Sequence, residues 1–169
     1  NHAGINVEME SFIGYCFFVG YGATDGFIPS CSLTGTTFST ATNVTSMPEA
    51  KFIKRYDGKL YVANCNIGAT RYPYRIYKSS MPSAGAITWT VATDFLDVDY
   101  SEEITGFETA WGKLVAFTEY QTYFYDKSSW LPVWSYGCSA HRTIKKHGAY
   151  MIWCNTDGVW VSTGGQPQN

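Results

Sequence analysis

Histidine is the natural starting point for acid–base chemistry, because its ring titrates near neutrality. The chain has three, His2, His141 and His147. His2 falls in a terminus expected to be flexible. His141 is followed by Arg142 between a Ser/Gly turn and a strand, and His147 precedes a turn glycine. Nucleophilic catalysis needs a nucleophile, a base and an orienting group within reach of one another. No GxSxG, HExxH or phosphate-binding loop motif supplies such a set. The expectation is a chain with no catalytic, cofactor or metal residues.

Carboxylates concentrate in one place: Asp94, Asp97, Asp99, Glu102 and Glu103. Several oxygens from one flexible loop can hold Ca²⁺, and paired carboxylates can hydrolyse glycosides. The stretch lacks the glycine and ligand spacing of an EF-hand loop. Phe95, Leu96, Val98 and Tyr100 interleave with the acids, so a solvated strand face or loop is expected. The arginines are Arg55, Arg71, Arg75 and Arg142. Arg71 and Arg75 flank Tyr72, Pro73 and Tyr74, where they could stack on aromatic rings or bind an anion; no arginine triad is evident. Cys16, Cys31, Cys65, Cys138 and Cys154 are odd in number and contain no CxxC pair. That argues against both a metal site and a complete disulfide framework. Reduced thiols buried as small hydrophobes are expected.

The bulk composition narrows the classes. Of 169 residues, 45% are hydrophobic and 15% charged, which is too apolar for a disordered chain. The net charge of −2 leaves no basic footprint for nucleic acid. Lys51, Lys54 and Arg55, and Arg142, Lys145 and Lys146, read as short solvated groups. No run of 18 apolar residues could form a membrane-spanning helix, and no signal peptide opens the chain. The first residue is Asn1, not Met, as in a fragment or a processed product. Asn43-Val44-Thr45 fits a glycosylation acceptor, which without a secretory signal reads as chance.

Aromatic residues make up 17% of the chain. They favour a pleated, half-buried surface, and they recur in a plan. Ile13-Gly14 opens Tyr15 to Val19. Asp57-Gly58 opens Lys59 to Asn64. Trp111-Gly112 opens Lys113 to Phe117. His147-Gly148 opens Ala149 to Cys154. Partner strands follow at Tyr74 to Ser80, Thr122 to Ser129 and Gly158 to Gly165. Asn155-Thr156-Asp157-Gly158 reads as a tight hairpin turn. Glu102 to Thr109 could form a turn, and Ile104 to Phe107 within it reads equally as an outer strand. The spacing of the glycines, roughly 36 to 54 residues, brackets the length of a four-stranded propeller blade. The expected fold is all-β and β-propeller-like. It has about four consecutive blades, about 14 to 16 short strands, and repeat units near 10–50, 51–100, 101–140 and 141–169 within one domain, 1–169. The last hairpin stops at Gly164-Gly165 with no outer strand after it, which is expected of a ring that continues. A β-sandwich is the competing architecture.

Two segments, Ser80 to Trp89 (SMPSAGAITW) and Ser32 to Phe38 (SLTGTTF), resemble the Asp-box hairpin of sialidase-like propellers, with the Asp missing. The run Glu103 to Phe107, Trp111 to Thr118 and Gln121 to Tyr125, followed by Gly137 to Ile144, Gly148 to Ile152 and Asp157 to Trp160, resembles bacteriophage β-propeller structural proteins of the tail nozzle and neck. Lys51 to Ser80 fits the preceding blade, so the likeness covers about residues 51–165. The resemblance implies a virion component without enzyme activity. Its partners would be other virion subunits in a homo-oligomer or larger assembly, with no membrane or specific nucleic acid. A carbohydrate-binding or glycan-processing propeller is the alternative, because exposed aromatic faces suit sugar rings.

Overall fold

The computed structural model describes residues 6–22, 26–34, 42–43 and 46–169, with side chains described for 6–21 and 46–169. Among these residues the only helical element is a single 3-10 turn, His141–Thr143. Everything else regular is strand, and the fold is all-β, as the composition requires.

The strands are β1 (Asn6–Phe12), β2 (Tyr15–Gly22), β3 (Gly26–Thr34), β4 (Thr42–Asn43), β5 (Glu49–Tyr56), β6 (Lys59–Ile67), β7 (Thr70–Lys78), β8 (Phe95–Asp97), β9 (Gly106–Ala110), β10 (Lys113–Phe117), β11 (Thr122–Tyr125), β12 (Trp130–Trp134), β13 (Lys145–His147), β14 (Tyr150–Asn155) and β15 (Gly158–Ser162). They form four antiparallel sheets in chain order: β1-β2-β3-β4, β5-β6-β7-β8, β9-β10-β11-β12 and β13-β14-β15. Each strand pairs with its sequence neighbour, so no crossover is needed, and the β7–β8 link carries a small hairpin of its own. Of the Ile104-Thr105-Gly106-Phe107 stretch, Gly106 and Phe107 begin β9, an edge strand of the third sheet, and Ile104 and Thr105 precede it. The chain divides into two compact units, Asn1–Leu96 and Asp97–Asn169.

Tight turns set the register. Phe12 pairs Tyr15, Tyr56 pairs Lys59 and Ala110 pairs Lys113, leaving two residues in each loop. Those pairs are Ile13-Gly14, Asp57-Gly58 and Trp111-Gly112, and all six residues have positive φ. This is the primed hairpin turn, whose twist matches that of its strands. The fourth turn differs from the sequence alignment. His147 pairs Tyr150, so the loop is Gly148-Ala149, and only Gly148 (φ 58°) is left-handed. The glycine therefore sits one place earlier than in the other three. His147 is the last residue of a strand, equivalent to Tyr56 and Ala110, not to Asp57 and Trp111. The Asn155-to-Gly158 turn is built by an Asx interaction: Asn155 Oδ1 accepts from Asp157 N (2.8 Å), Gly158 N (3.2 Å) and Trp160 Nε1 (2.8 Å).

In the N-terminal unit, Phe12, Phe17 and Val19 of the first sheet pack with Ile53, Leu60, Val62, Cys65 and Tyr77 of the second. Glu8 Oε2 accepts from the Ile53 amide at 3.3 Å, holding β1 beside β5. A bulge at Asn64 shifts the β6–β7 register. The Ser80–Trp89 segment is a hairpin: Ser79 bridges Trp89, Ser83 bridges Ala86, Ala84-Gly85 turns with both φ positive, and Trp89 is buried. Ser32 to Phe38 lies largely outside the described residues.

In the C-terminal unit, Val115, Phe117, Phe124 and Trp134 of the third sheet pack with Met151, Trp153 and Trp160 of the fourth. Trp134 and Trp153 stack at 5.9 Å with planes 7° apart. Trp153 Nε1 donates to Gly137 O at 3.0 Å. Trp111 Nε1 donates to Ala149 O at 2.8 Å, and Lys146 Nζ reaches Glu108 Oε1 at 3.1 Å and Thr109 O at 2.8 Å. The opposite face of the third sheet is also buried, through Phe107, Leu114, Ala116, Tyr123, Tyr125 and Trp130. Past Gly164-Gly165 the chain does return to the sheet edge. Val161 N donates to Gln168 O (2.8 Å) and Gln168 N to Val161 O (2.9 Å).

Gly137 runs against the Thr118–Glu119 backbone: a Cβ there would lie 2.2 Å from Thr118 O and 2.4 Å from Glu119 C. Backbone cannot step aside as a side chain can. Gly137→Ala is expected to destabilise by about 3 kcal/mol, as overpacking does. Gly112→Ala, which meets no neighbour within 4 Å but needs φ +68°, is expected to cost about 1 kcal/mol. Urea unfolding midpoints of the two variants check the ranking.

Candidate interaction surface

The residues singled out for chemistry are scattered. His141 opens the 3-10 turn, half-buried, and His147 ends β13, exposed. The carboxylate of Glu108 meets Lys146, not a histidine. His2 lies outside the described residues. Among the described residues no three His, Cys, Asp or Glu side chains are placed to share a metal ion.

The acidic stretch is a turn more than a strand, because β8 ends at Asp97. Asp99 Oδ1 accepts from Ser101 N (2.9 Å) and Ser101 Oγ (2.7 Å), and Asp99 O accepts from Glu102 N (3.2 Å). The Ser101 bonds hold the Asp99 carboxyl below its ordinary range. Nearby, burial pushes the Tyr123 phenol up to about 12, with Glu102 and Asp99 adding to the rise. A phenol held protonated in this way is a poor nucleophile at neutral pH.

Arg75 is caged by rings of its own unit. Its guanidinium carbon lies 3.7 Å from the Phe95 centroid, 4.4 Å from Tyr72, and 5.9 Å from both Tyr74 and Tyr77. Of the two weighed actions, stacking on aromatics is the one present. Burial raises the Tyr77 phenol above its ordinary value, and the Arg75 contact opposes the rise. Arg71, four residues earlier on β7, is exposed.

The thiols of Cys16, Cys65, Cys138 and Cys154 are free. Cys65 and Cys138 are fully buried, and burial pushes the Cys138 thiol up, against hydrogen bonds to Ala140 and Thr143. The Cys31 side chain lies outside the described residues, as does most of Asn43-Val44-Thr45.

The most distinctive surface is the outer face of the fourth sheet. Alternation along β14 sends Met151 and Trp153 inward and Tyr150, Ile152 and Cys154 outward. Register adds Val159 and Val161 of β15, with Lys145 and His147 of β13, to that outer face. Tyr150 is 54% exposed, Ile152 39% and Val159 57%. Most aromatics of the repeats are core, among them Trp153, Trp160, Phe117 and Tyr125, and Tyr150 is an exception. Sequence carried the signal: β14 is apolar in both of its alternating sets, so it needs cover on two sides. A smaller feature of this kind occurs on β1, where Val7 and Met9 are 53% and 67% exposed.

The chain matches no protein-family model and no curated protein sequence.

Two solution measurements follow from these groups. Asp126 Oδ1 accepts from Ser128 N (2.8 Å) and Ser129 N (2.7 Å), and these bonds lower its carboxyl from 3.8 to about 2. A depressed folded-state value stabilises the fold above the unfolded value, and the gain is lost as pH falls through the folded one. The thermal stability of the native chain is therefore expected to fall between pH 4 and about 2. Asp126→Asn removes that share of the pH dependence. Separately, Cys65 and Cys138 are expected to resist a thiol reagent such as DTNB in the folded chain and to react on unfolding. Immediate reaction of both would contradict their burial.

Proposed function

We propose that the four sheets are consecutive blades of a propeller-like domain, and that the domain is a non-enzymatic structural part of a virion. It is of the kind found in bacteriophage tails and necks, and it works through contacts with other subunits. Support for the blade reading comes from four sequential meanders, a primed turn shared by three of them, and apolar residues on both strand faces. These are features of units that bury their faces by stacking on neighbours.

Support for the assembly reading comes chiefly from one observation: the outer face of β13-β14-β15 presents Tyr150, Ile152 and Val159 to solvent. Apolar sheet faces of this kind mark contact sites. The carbohydrate alternative has weaker support. Its best anion clamp, Arg75, is engaged by Phe95 and three tyrosines.

Antibodies raised against the chain are expected to decorate virus particles at one fixed position in negative-stain micrographs. Recovery of the chain solely in the particle-free fraction, with no decoration, would overturn the virion reading. A glycan array hit weakened by Arg71→Ala would favour the carbohydrate alternative instead.

A further inference from the structure

The apolar outer face of the fourth sheet is bordered by basic residues. Lys145 and His147 lie on that face of β13, and Arg142 stands exposed just before it. The same unit carries the opposite pattern in the loop of residues 97–103. There Asp99 and Glu103 are exposed, Asp97 and Glu102 are half-buried, and Tyr100 projects with 70% of its surface in solvent. Hydrogen bonds from Ser101 fix the Asp99 carboxylate within its turn.

We propose that the C-terminal unit binds a second copy of itself, with the acidic loop and Tyr100 of one copy seated on the basic strand β13 and the Tyr150–Ile152–Val159 face of the other. This rests on the reading of the chain as an assembly module. Charge complementarity selects the occupant. The surface offers an apolar centre with the Lys145 cation along one border, and the loop offers an aromatic side chain among carboxylates. Each copy carries both halves, so a reciprocal two-fold pairing uses the contact twice. Two such contacts can reach the total area of roughly 1,200 Å² or more that specific association needs. The apolar centre supplies adhesion, while the border charges set register and salt dependence.

The test is sedimentation velocity of the full chain at low and high salt. Self-association is expected, weakening as salt rises. Lys145→Glu and Asp99→Lys are each expected to weaken it about tenfold, and the double variant to restore it, because the charges are exchanged. All three positions of substitution are exposed strand or loop sites, and an unchanged circular dichroism melt confirms that the variants fold. Ile152→Asp is expected to abolish association. Association that responds to Ile152→Asp but to neither charge reversal overturns the acidic loop as the occupant. A chain that stays monomeric up to about 100 µM overturns self-pairing altogether. In that case particle decoration by antibody still reports independently on the assembly role, through unlike subunits.

Discussion

The stacked pair Trp134 and Trp153 is the contact on which the C-terminal unit depends. Trp153 is fully buried, its ring parallel to Trp134 and 5.4 Å from Phe117, and its indole N–H is satisfied by Gly137 O. That one hydrogen bond ties a large ring to a backbone carbonyl of the segment linking the third sheet to the fourth. It also dictates the linker. The Gly137 carbonyl can reach the indole only if the chain presses onto Thr118 and Glu119, and there no side chain fits. Next to it, Cys138 N donates to Thr118 O, and the Thr105 hydroxyl donates to Cys138 O. An aromatic stack, a glycine and a run of backbone bonds thus form one mutually required set. Rings of this size gain much from burial but need their polar edge paired.

The N-terminal unit solves the same problem with different residues. Its rings are fewer at the sheet-to-sheet contact, and side-chain oxygens do more of the joining. Glu8 caps a β5 amide, and Ser79 Oγ accepts from Leu60 N while donating to Ser80 O. The common requirement in both units is that strands apolar on both faces receive cover on both faces. The outer face of the fourth sheet is one place where the requirement is left unmet, and β1, with Val7 and Met9 exposed, is another.

Much of the fold was legible in the chain. Alternating aromatic strands and Gly-led turns located the hairpins at Tyr56–Lys59 and Ala110–Lys113, since primed turns demand residues that tolerate positive φ. The fourth hairpin misled by one position. A glycine marks a left-handed site but does not say whether it is the first or second loop residue, and strand pairing decides that. Arg75 was flagged for stacking or anion binding, and the choice required Phe95, twenty residues away, which only β7–β8 packing brings near. The exposed face at Tyr150 was not legible, because alternation shows that a strand has two apolar sides without showing whether both are covered. The return of Gln168 to Val161 left no pattern to read: one bridge carries no periodicity.

That return has a consequence for how the unit opens. A Cβ added at Gly164 would lie 3.0 Å from the Trp111 ring, Ser162 Oγ accepts from Gly164 N and donates to Gly165 O, and Asn169 Nδ2 donates to Asp157 O at 3.2 Å. Residues 163–169 therefore lie across a tryptophan that is itself hydrogen-bonded to the β13–β14 turn. Apart from the buried Pro167 this strip is mostly exposed, so it will exchange amide protons before the strands beneath it. Its detachment would wet the Trp111 indole while leaving Trp153 dry, making the emission of one ring an internal gauge of fraying and the other a gauge of global collapse.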